Sequence, residues 1–381
     1  MKIAILSPWT VRSNSVGGTE RFVIDLAESF NNSGHEVDVY MLSGNNYCKN
    51  NINYISINLF GENRIVDEYF LKQEFNEFNS YESFKDLALR IDKSIPFEKY
   101  DLVHLNSQLF LEAGKNNKRI FTIHTNPFEY KLDWGEKSFS IMLDIMKDNY
   151  ISTDTHFVAP SMYYANIYHE LAGINIDFIP HAIDIERLNS LKSKESIYRE
   201  MGIDLDKKLI LLPSRLEPIQ KQPMLFLKSF ALQSDGVKNK FKIICTGADK
   251  QYEKFKNEII DFCSINNIDI SICRFDQMAD GYKACDIVVL PSKSESFGYS
   301  ALEAISLGIV TIINNIPTYM EIAEGAKNCY SFDNNVESLD YLLRNILGNS
   351  FDRVIQEKKW KDRYSMKLFC RKYLDLNDKN G

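Results

Sequence analysis

The stretch from Asp286 to Asn315, DIVVLPSKSESFGYSALEAISLGIVTIINN, reads as one strand–helix–strand unit. Its two apolar runs, DIVVLPS and IVTIINN, are short, rich in β-branched residues and bounded by turn residues, so they predict buried strands. The segment between them, around SALEAISLG, has the apolar content of a helix. Because runs and helical segments of this kind alternate along the whole chain, we predict a parallel α/β architecture.

Working outward from this unit, apolar runs predict seven strands in the first half of the chain and five in the second. The runs are KIAILS, EVDVYML, INYISIN, DLVHLN, RIFTIHT, HFVAPS and DFIPHA, then KLILLPS, FKIICTG, DISICRF, DIVVLPS and IVTIINN. Each half holds enough strands for its own doubly wound sheet. We predict two Rossmann-like domains that face each other across a cleft, at 1–180 and 181–364, with a last helix at 365–381 packing back on the first.

Composition narrows the class of protein. The chain has 381 residues, 44% hydrophobic and 25% charged, and a net charge of −7, which argues against a nucleic-acid-binding surface. No run approaches the roughly 18 apolar residues of a membrane-spanning helix, and the start, MKIAILSPWT, predicts a strand rather than a signal peptide. The seven cysteines lack C-x-x-C spacing. We expect reduced thiols and a cytoplasmic location, with peripheral membrane contact left open.

The glycine pair Gly17-Gly18 follows the first strand and a polar loop, just before the helical segment TERFVIDLAESF. Glycines at such a place let backbone N–H groups approach a phosphate, and the helix N-terminus adds partial positive charge. The pair is not G-x-G-x-x-G, so a nicotinamide-binding interpretation is weak. The alternative is an ordinary tight turn between strand and helix.

Two cations follow the first strand of the second half. In LLPSRLEPIQKQP, Arg215 lies just past the strand and Lys221 opens the next helix. At the carboxyl end of a central strand they can neutralise a diphosphate, Arg215 as a bidentate fork and Lys221 as a point charge. The alternative is a solvated charged loop.

Two glutamates occupy the opening stretch. Glu295 lies on the loop after a strand, and Glu303 lies inside an apolar helix, where a carboxylate is costly unless it is paired or bound to a ligand. Acidic acceptors suit sugar hydroxyls, so one glutamate can hold a ribose and the other a hexose. The helix N-terminus between them would offer backbone N–H groups to phosphate oxygens. The residues that would supply these groups are Phe297, Gly298, Tyr299 and Ser300.

A long connection, including FGENRIVDEYFLKQEFNEFNSYESFKDLALRI, lies between the strand near Ile57 and DLVHLN. Its composition predicts helix. It is either a crossover helix with a covering loop or a lid over a polar acceptor.

These motifs give the chain its resemblance to a known family. GGTE after the first strand, TIHTNP, PSRLEPIQK and PSKSESFGYSALEA resemble, in order and spacing, the family-four retaining glycosyltransferases of the GT-B fold. The resemblance implies that Glu303 binds the nucleotide ribose and Glu295 the transferred sugar. It also implies that Arg215 and Lys221 grip the donor diphosphate. The six-residue spacing of these two cations departs from the usual five and makes Lys221 the less secure of the pair.

The resemblance also places Gly17 and Gly18 by the donor phosphate and His124 near the reacting sugar; otherwise His124 is a core histidine at a strand end. It further implies transfer of a hexosyl or N-acetylhexosaminyl unit from a nucleoside diphosphate sugar, UDP-sugar favoured over GDP-sugar, to a glycan, lipid-linked, protein or small-molecule hydroxyl. His181, in IPHAID, we interpret as a hinge residue without a ligand contact. Two alternatives stay open: a nucleotide-sugar epimerase and a sugar-nucleotide-binding protein without turnover.

No cofactor and no metal are predicted. The one Asp-x-Asp match, Asp204-Leu205-Asp206, precedes a strand in a polar turn, whereas a metal-binding pair should follow a strand end. The histidines show no metal-ligand spacing. Arg215 and Lys221 can neutralise the leaving diphosphate instead.

Overall fold

The computed structural model describes residues 1–8, 11, 17–61, 66–75, 78–247 and 250–378. Most of the predicted polar loop after the first strand, parts of the long connection, the two residues after Gly247 and the end of the predicted last helix lie outside these ranges. The chain divides into two compact units. Unit 1 comprises residues 1–182 and 363–381, and unit 2 comprises 183–362.

Unit 1 is built on one sheet of eight strands within the described residues, in the order β3-β4-β2-β1-β5-β6-β7-β8. The strands are β1 (Lys2–Ser7), β2 (Glu36–Met41), β3 (Tyr47–Lys49), β4 (Ile52–Ser56), β5 (Leu102–Leu105), β6 (Arg119–Thr122), β7 (Thr155–Ala159) and β8 (Asp177–Phe178). All neighbours pair in parallel except β3 and β4, which pair antiparallel at the edge. The order reverses between β1 and β5, so ligands are expected at the carboxyl ends of these two strands.

Four helices of unit 1, α2 to α5, begin directly after a side chain that accepts a hydrogen bond from their first turn. They are α1 (Gly18–Asn32), α2 (Glu68–Glu74), α3 (Tyr81–Ser94), α4 (Pro127–Ser152), α5 (Met162–Ala172) and α15 (Met366–Asp378). The side chain of Asn126 accepts a hydrogen bond from the N–H of Phe128 at 2.8 Å, and Pro127 fills the first helical position of α4. Ser161 caps α5 in the same way. These caps place α4 directly after β6 and α5 directly after β7.

The C-terminal helix α15 belongs to unit 1 by its contacts. The Tyr373 hydroxyl lies 2.9 Å from Thr122 Oγ1, and the rings of Phe369 and Tyr373 pack against Phe22 of α1. Phe22 and Tyr373 are fully buried. The helix therefore closes one face of the first sheet.

Unit 2 is built on a parallel sheet of six strands within the described residues, in the order β11-β10-β9-β12-β13-β14. The strands are β9 (Lys208–Leu212), β10 (Phe241–Cys245), β11 (Ile270–Ile272), β12 (Ile287–Leu290), β13 (Val310–Asn314) and β14 (Cys329–Phe332). Numbered from the start of the unit, the order is 3-2-1-4-5-6, which is that of a dinucleotide-binding Rossmann sheet. The predicted fold class, α/β with two Rossmann-like domains, is confirmed.

The helices of unit 2 cover both faces of this sheet. They are α6 (Lys194–Glu200), α7 (Pro223–Ala231), α8 (Asp235–Lys238), α9 (Glu253–Ile265), α10 (Met278–Ala284), α11 (Tyr299–Ser306), α12 (Pro317–Ala323), α13 (Val336–Ile346) and α14 (Lys358–Arg363). Residues of β9, β10, β12 and β13 form its core with α7 and α13. The core fixes the loops at the carboxyl ends of β9 and β12.

The described part of the long connection forms α2 and α3 and packs as a cover. Phe60, Phe75 and Phe78 make edge and stacked ring contacts with one another and with their neighbours, and Phe78 packs on Phe84 and Trp134. Phe78 and Phe84 are fully buried. The described part therefore packs into the core of unit 1, and a role of this segment as a lid or wall for an acceptor stays a prediction.

Candidate active site

Two of the predicted donor residues of unit 2, Lys221 and Glu295, meet at the point where its strand order reverses. β9 and β12 are adjacent and parallel, and the chain leaves β9 toward one side of the sheet and β12 toward the other. Arg215 and Lys221 follow β9, and Glu295 follows β12. Because loops diverge at such a switch point, a crevice for a ligand opens between them.

The loop after β9 is held rigid by one carboxylate. Glu217 accepts hydrogen bonds from the backbone N–H groups of Ile219 at 3.1 Å, Gln220, and Lys221 at 3.2 Å. The loop is also tied to the β12 loop, because Lys293 N–H donates to Gln220 O at 2.7 Å. These bonds fix the direction in which Lys221 leaves the loop.

Arg215 is exposed, and its side chain has no hydrogen-bond or ion-pair partner among the described residues. Its backbone is tightly packed against Gly247, which follows β10. A Cβ at Gly247 would lie 2.4 Å from Leu216 N and 2.5 Å from Arg215 Cα. Only glycine fits there, so Gly247 has a packing role in setting the Arg215 loop.

Lys221 and Glu295 form an ion pair. Lys221 Nζ lies 2.6 Å from Glu295 Oε1, with side chains 12% and 16% exposed. The same Glu295 oxygen accepts a hydrogen bond from the hydroxyl of Tyr319 at 3.1 Å. An ammonium has three N–H donors, so Lys221 can keep Glu295 and still bind a phosphate oxygen. Lys221, whose spacing from Arg215 departs from the family pattern, is thus the cation that is held in place by Glu295, the predicted sugar-binding carboxylate.

The N-terminus of α11 opens at Gly298, with φ 105° and ψ 56°. A Cβ at Gly298 would lie 2.6 Å from Cε1 of Tyr319, so both the backbone angle and the available space call for glycine. Phe297 is buried and packs edge-on against Tyr299, and the Ser300 hydroxyl donates to Pro213 O at 3.1 Å. The first N–H groups of a helix have no partner within it and favour anions.

Glu303 lies inside α11 and is 5% exposed. Its Oε2 accepts a hydrogen bond of 2.5 Å from the hydroxyl of Tyr282, a fully buried residue of α10. The carboxylate that the sequence places in an apolar helix is therefore paired with a phenol. Sequence reasoning missed Tyr282 and Tyr319, because both look like core aromatics.

In unit 1, α1 begins at Gly18 with Gly17 as its N-cap. The Glu20 side chain folds back toward Gly17, since a Cβ at Gly17 would lie 1.9 Å from Glu20 Oε2. Gly17 and Gly18 are exposed. The glycine pair thus lies at a helix N-terminus, as predicted, with a carboxylate of the same turn beside it.

His124 lies just past β6 and contacts residues from two other elements. Its Nε2 is 3.2 Å from Asn106 Oδ1, and Asn106 Nδ2 donates to Leu6 O of β1 at 3.2 Å. The ring packs edge-on against Phe22, with centroids 4.7 Å apart, and lies 5.5 Å from the ring of His181. These are contacts of a packed histidine near the switch point of the first sheet, and a role toward a sugar stays a prediction.

His104, His124 and His181 surround Phe22, and acid is expected to destabilise unit 1 through them. Burial lowers the pKa of His124 to about 3 and holds the pKa values of His104 and His181 well below the ordinary 6.5. Below about pH 6.5 the unfolded chain binds protons that the folded unit does not. Each ring should then lower the free energy of unfolding by roughly 1.4 kcal/mol per pH unit as the pH falls from 6.5 toward 3.

Urea unfolding midpoints at pH 7.5, 6.5 and 5.5 measure this effect. His104→Gln removes one titrating ring and should reduce the loss of stability between pH 6.5 and 5.5 by the equivalent of about one proton. Equal pH dependence in the variant and the wild type would contradict the assignment.

The Asp204-Leu205-Asp206 turn comes before the amino-terminal end of β9, whereas Lys221 follows the carboxyl end of that strand. In the ranges that the structure describes, no group of three or more His, Cys, Asp or Glu side chains is arranged to hold a metal ion. Within the same ranges, no helix has the length and apolar content needed to cross a bilayer.

Comparison with known proteins gives the class and then the family. A family model described as Glycosyltransferase Family 4 matches residues 16–187, and a model described as Glycosyl transferases group 1 matches residues 193–363. With these two models on its two Rossmann-like halves, the chain is a glycosyltransferase of the GT-B fold. It belongs to the family-four-like members of that class.

Relatives match either nearly the whole chain or a part of it. An uncharacterized glycosyltransferase of Methanocaldococcus jannaschii is 25% identical over 96% of this chain and 94% of its own length. A D-inositol 3-phosphate glycosyltransferase of Corynebacterium efficiens is 28% identical over 35% of this chain and 33% of its own.

Solved structures share the fold. Sucrose-phosphate synthase of Thermosynechococcus elongatus has a TM-score of 0.75 and 16% identity, covering 100% of this chain and 98% of that one. HepE of Anabaena, solved with UDP and glucose, has a TM-score of 0.71 and 15% identity over 100% of both chains. An Escherichia coli structure described as trehalose-6-phosphate bound with UDP-2-fluoro glucose has a TM-score of 0.74 and 12% identity, covering 99% of each chain.

Proposed function

We propose that this glycosyltransferase moves a hexosyl or N-acetylhexosaminyl unit from a nucleoside diphosphate sugar to an acceptor hydroxyl, with retention of the anomeric configuration. The observation that carries the proposal is the Lys221–Glu295 ion pair at the switch point of unit 2. It joins a cation suited to a diphosphate to a carboxylate suited to sugar hydroxyls. Arg215, exposed on the same loop after β9 as Lys221, supplies a second cation.

In the proposed reaction, different residues bind different parts of the donor. Glu303 accepts hydrogen bonds from the ribose, and Glu295 from the hydroxyls of the transferred sugar. Arg215, Lys221 and the first N–H groups of α11 receive the negative charge that builds on the departing diphosphate. Lys221 and the N–H groups of α11 are fixed before the reaction, because Glu217 holds the Lys221 loop and Gly298 opens the helix.

The bond changes follow from retention without an enzyme nucleophile. The bond between the anomeric carbon and the diphosphate oxygen breaks, and the acceptor oxygen bonds to that carbon on the same face. The proton of the acceptor hydroxyl passes to the departing phosphate oxygen. No metal or other cofactor is needed in this scheme, since the two cations offset the leaving-group charge.

The donor and the location are proposed in the same way. UDP-sugar is favoured over GDP-sugar, with support from the two structural neighbours that were solved with UDP or a UDP sugar. The acceptor, a glycan, a lipid-linked intermediate, a protein or a small molecule, is proposed to be bound by unit 1. The reaction is proposed to take place in the cytoplasm.

A thermal-shift panel tests this function. The wild-type chain is heated with UDP, GDP, ADP and their glucose or mannose sugars, all in excess EDTA. A ligand that binds the folded state raises the melting temperature by mass action, to the extent of about 2.7 kcal/mol at a hundredfold excess over Kd. UDP and UDP-sugars should give the largest rise. If no nucleotide shifts the transition, the proposed function is wrong.

A further inference from the structure

Each of the two glutamates is held by a buried tyrosine from a neighbouring helix. Tyr282 of α10 is fully buried and donates its hydroxyl to Glu303 Oε2 at 2.5 Å. Tyr319 of α12 is 1% exposed and donates to Glu295 Oε1 at 3.1 Å. We propose that Tyr282 and Tyr319 are positioning residues, the first for nucleotide binding through Glu303 and the second for sugar binding through Glu295. The inference rests on the function proposed above.

Tyr282 is fixed from its backbone as well as its ring. Its carbonyl oxygen accepts a hydrogen bond from Arg353 Nη2, and the ring is enclosed by unit 2. The phenol therefore approaches Glu303 from a rigid support. A carboxylate whose oxygen is pinned in this way has few side-chain orientations left, and that preorganisation favours binding to one ligand geometry.

Tyr319 is fixed by its contacts with the α11 entrance. Its ring lies over Gly298, at 2.6 Å from the place of a Cβ, and its hydroxyl also lies 3.3 Å from Ser292 Oγ. Its position thus sets the shape of the helix N-terminus together with the direction of Glu295. Burial raises the pKa of Tyr319 well above its ordinary value, so the phenol stays a neutral donor at every working pH.

The hydrogen bond from the Tyr319 phenol to Glu295 matters because Lys221 has two partners in the proposed function, Glu295 and the donor diphosphate. Both Lys221 and Tyr319 bond the same oxygen, Oε1, so Oε2 remains available for a sugar hydroxyl. When a diphosphate attracts the ammonium, the hydrogen bond from Tyr319 keeps Glu295 in place without neutralising it. Sugar binding then depends on Tyr319 even though nucleotide binding does not.

Tyrosine-to-phenylalanine variants separate these roles, since they remove one oxygen and keep the ring. Isothermal titration with UDP and UDP-glucose, or with GDP and GDP-mannose if the panel selects guanosine, should show two patterns. Tyr282→Phe should weaken both ligands equally, by roughly tenfold. Tyr319→Phe should leave the nucleoside diphosphate within twofold of wild type. It should reduce the added affinity from the sugar, and the rate of donor turnover, by roughly tenfold.

Tyr198→Phe is the matched control. Tyr198 is as buried as Tyr282 and Tyr319. Its hydroxyl donates to Lys207 O, which lies just before the amino-terminal end of β9, whereas the candidate site lies beyond the carboxyl end of that strand. Its loss should leave both affinities unchanged. A cycle of Tyr282→Phe and Glu303→Gln should be strongly non-additive: in the Glu303→Gln background, Tyr282→Phe should weaken binding by less than a further twofold.

The outcomes are distinct. Equal losses for both ligands in Tyr319→Phe, or additive losses in the cycle, would indicate a general packing effect and overturn the inference. Variants indistinguishable from a wild type that binds nucleotide would also overturn it, while leaving the proposed function intact. A wild type that binds no nucleotide would overturn both.

Discussion

Replacing Arg119 by methionine is expected to lower the free energy of unfolding of unit 1 by about 3–5 kcal/mol. Arg119 starts β6 and is fully buried. Its guanidinium donates five hydrogen bonds, which reach Leu111 O, Ala113 O, Asn149 Oδ1, Thr153 Oγ1 and Thr155 Oγ1. Methionine keeps an unbranched apolar stem but lacks the guanidinium, so these buried acceptors lose their arginine donor. Burial lowers the pKa of Arg119 only to about 10, so the native residue is charged at neutral pH.

Hydrogen exchange followed by mass spectrometry measures this loss unit by unit, so no two-state assumption is needed for a two-unit chain. Peptides from β6, β7 and α4 should exchange on the order of a hundredfold to several thousandfold faster in the variant. Peptides from β9 and β12 should be unchanged. Arg371→Met is the control, because Arg371 is 76% exposed and makes one ion pair of 3.6 Å with Asp375. It should shift stability by less than about 0.5 kcal/mol. Comparable effects in the two variants would disprove the account of Arg119.

The second large effect is expected at the two glutamates. Glu303→Ala should weaken nucleoside diphosphate binding by roughly tenfold or more, since the ribose loses a charged acceptor worth about 1.5–3 kcal/mol. Glu295→Ala should leave that binding at wild-type strength or make it tighter. Lys221, now 2.6 Å from Glu295, would be released toward the diphosphate. Turnover of the nucleotide sugar should nevertheless fall sharply, because Glu295 is proposed to hold the sugar.

Calorimetric titration with free nucleotide, beside a donor-turnover assay, tests the contrast. Glu357→Ala serves as control, because this glutamate is 64% exposed and its side chain pairs only with Lys327 among the described residues. Its effect should stay within about 0.5 kcal/mol. Two glutamate variants that both behave like this control would show that the motif does not bind the donor.

Every strand predicted from an apolar run forms in the structure, because strands of a parallel sheet are buried on both faces and read as continuous apolar stretches. The strands β3 and β14 were not predicted. β3, with the sequence YCK, is short, antiparallel and largely exposed, and Tyr330 and Ser331 of β14 are exposed. Edge strands of this kind lack the apolar signal on which the prediction depends.

The sequence predicts which residues make up the candidate site, but it does not predict which of them contact one another. The positions of Arg215, Lys221 and Glu295 after strand ends, and of Glu303 inside an apolar helix, follow from the sequence pattern. The pairing of Lys221 with Glu295 does not, because it joins two loops 74 residues apart through the exact reach of their side chains. For Tyr319 a signal existed: it lies two residues after Pro317, at the start of a helix that follows β13, the strand next to β12. A polar aromatic at that edge could have been included among the site residues.

The helix α15 has a consequence for synthesis on the ribosome. Unit 2 is one continuous segment and can fold as soon as it emerges. Unit 1 is completed only when residues 363–378 arrive, although its sheet strands are made first. At about 5–20 residues per second, unit 1 waits on the order of 10–40 s for its last helix, with the face of Phe22 that Phe369 and Tyr373 later cover still open to solvent. During that interval the nascent chain presents an apolar surface to chaperones, and a ribosome that stalls late holds a finished unit 2 attached to an unfinished unit 1.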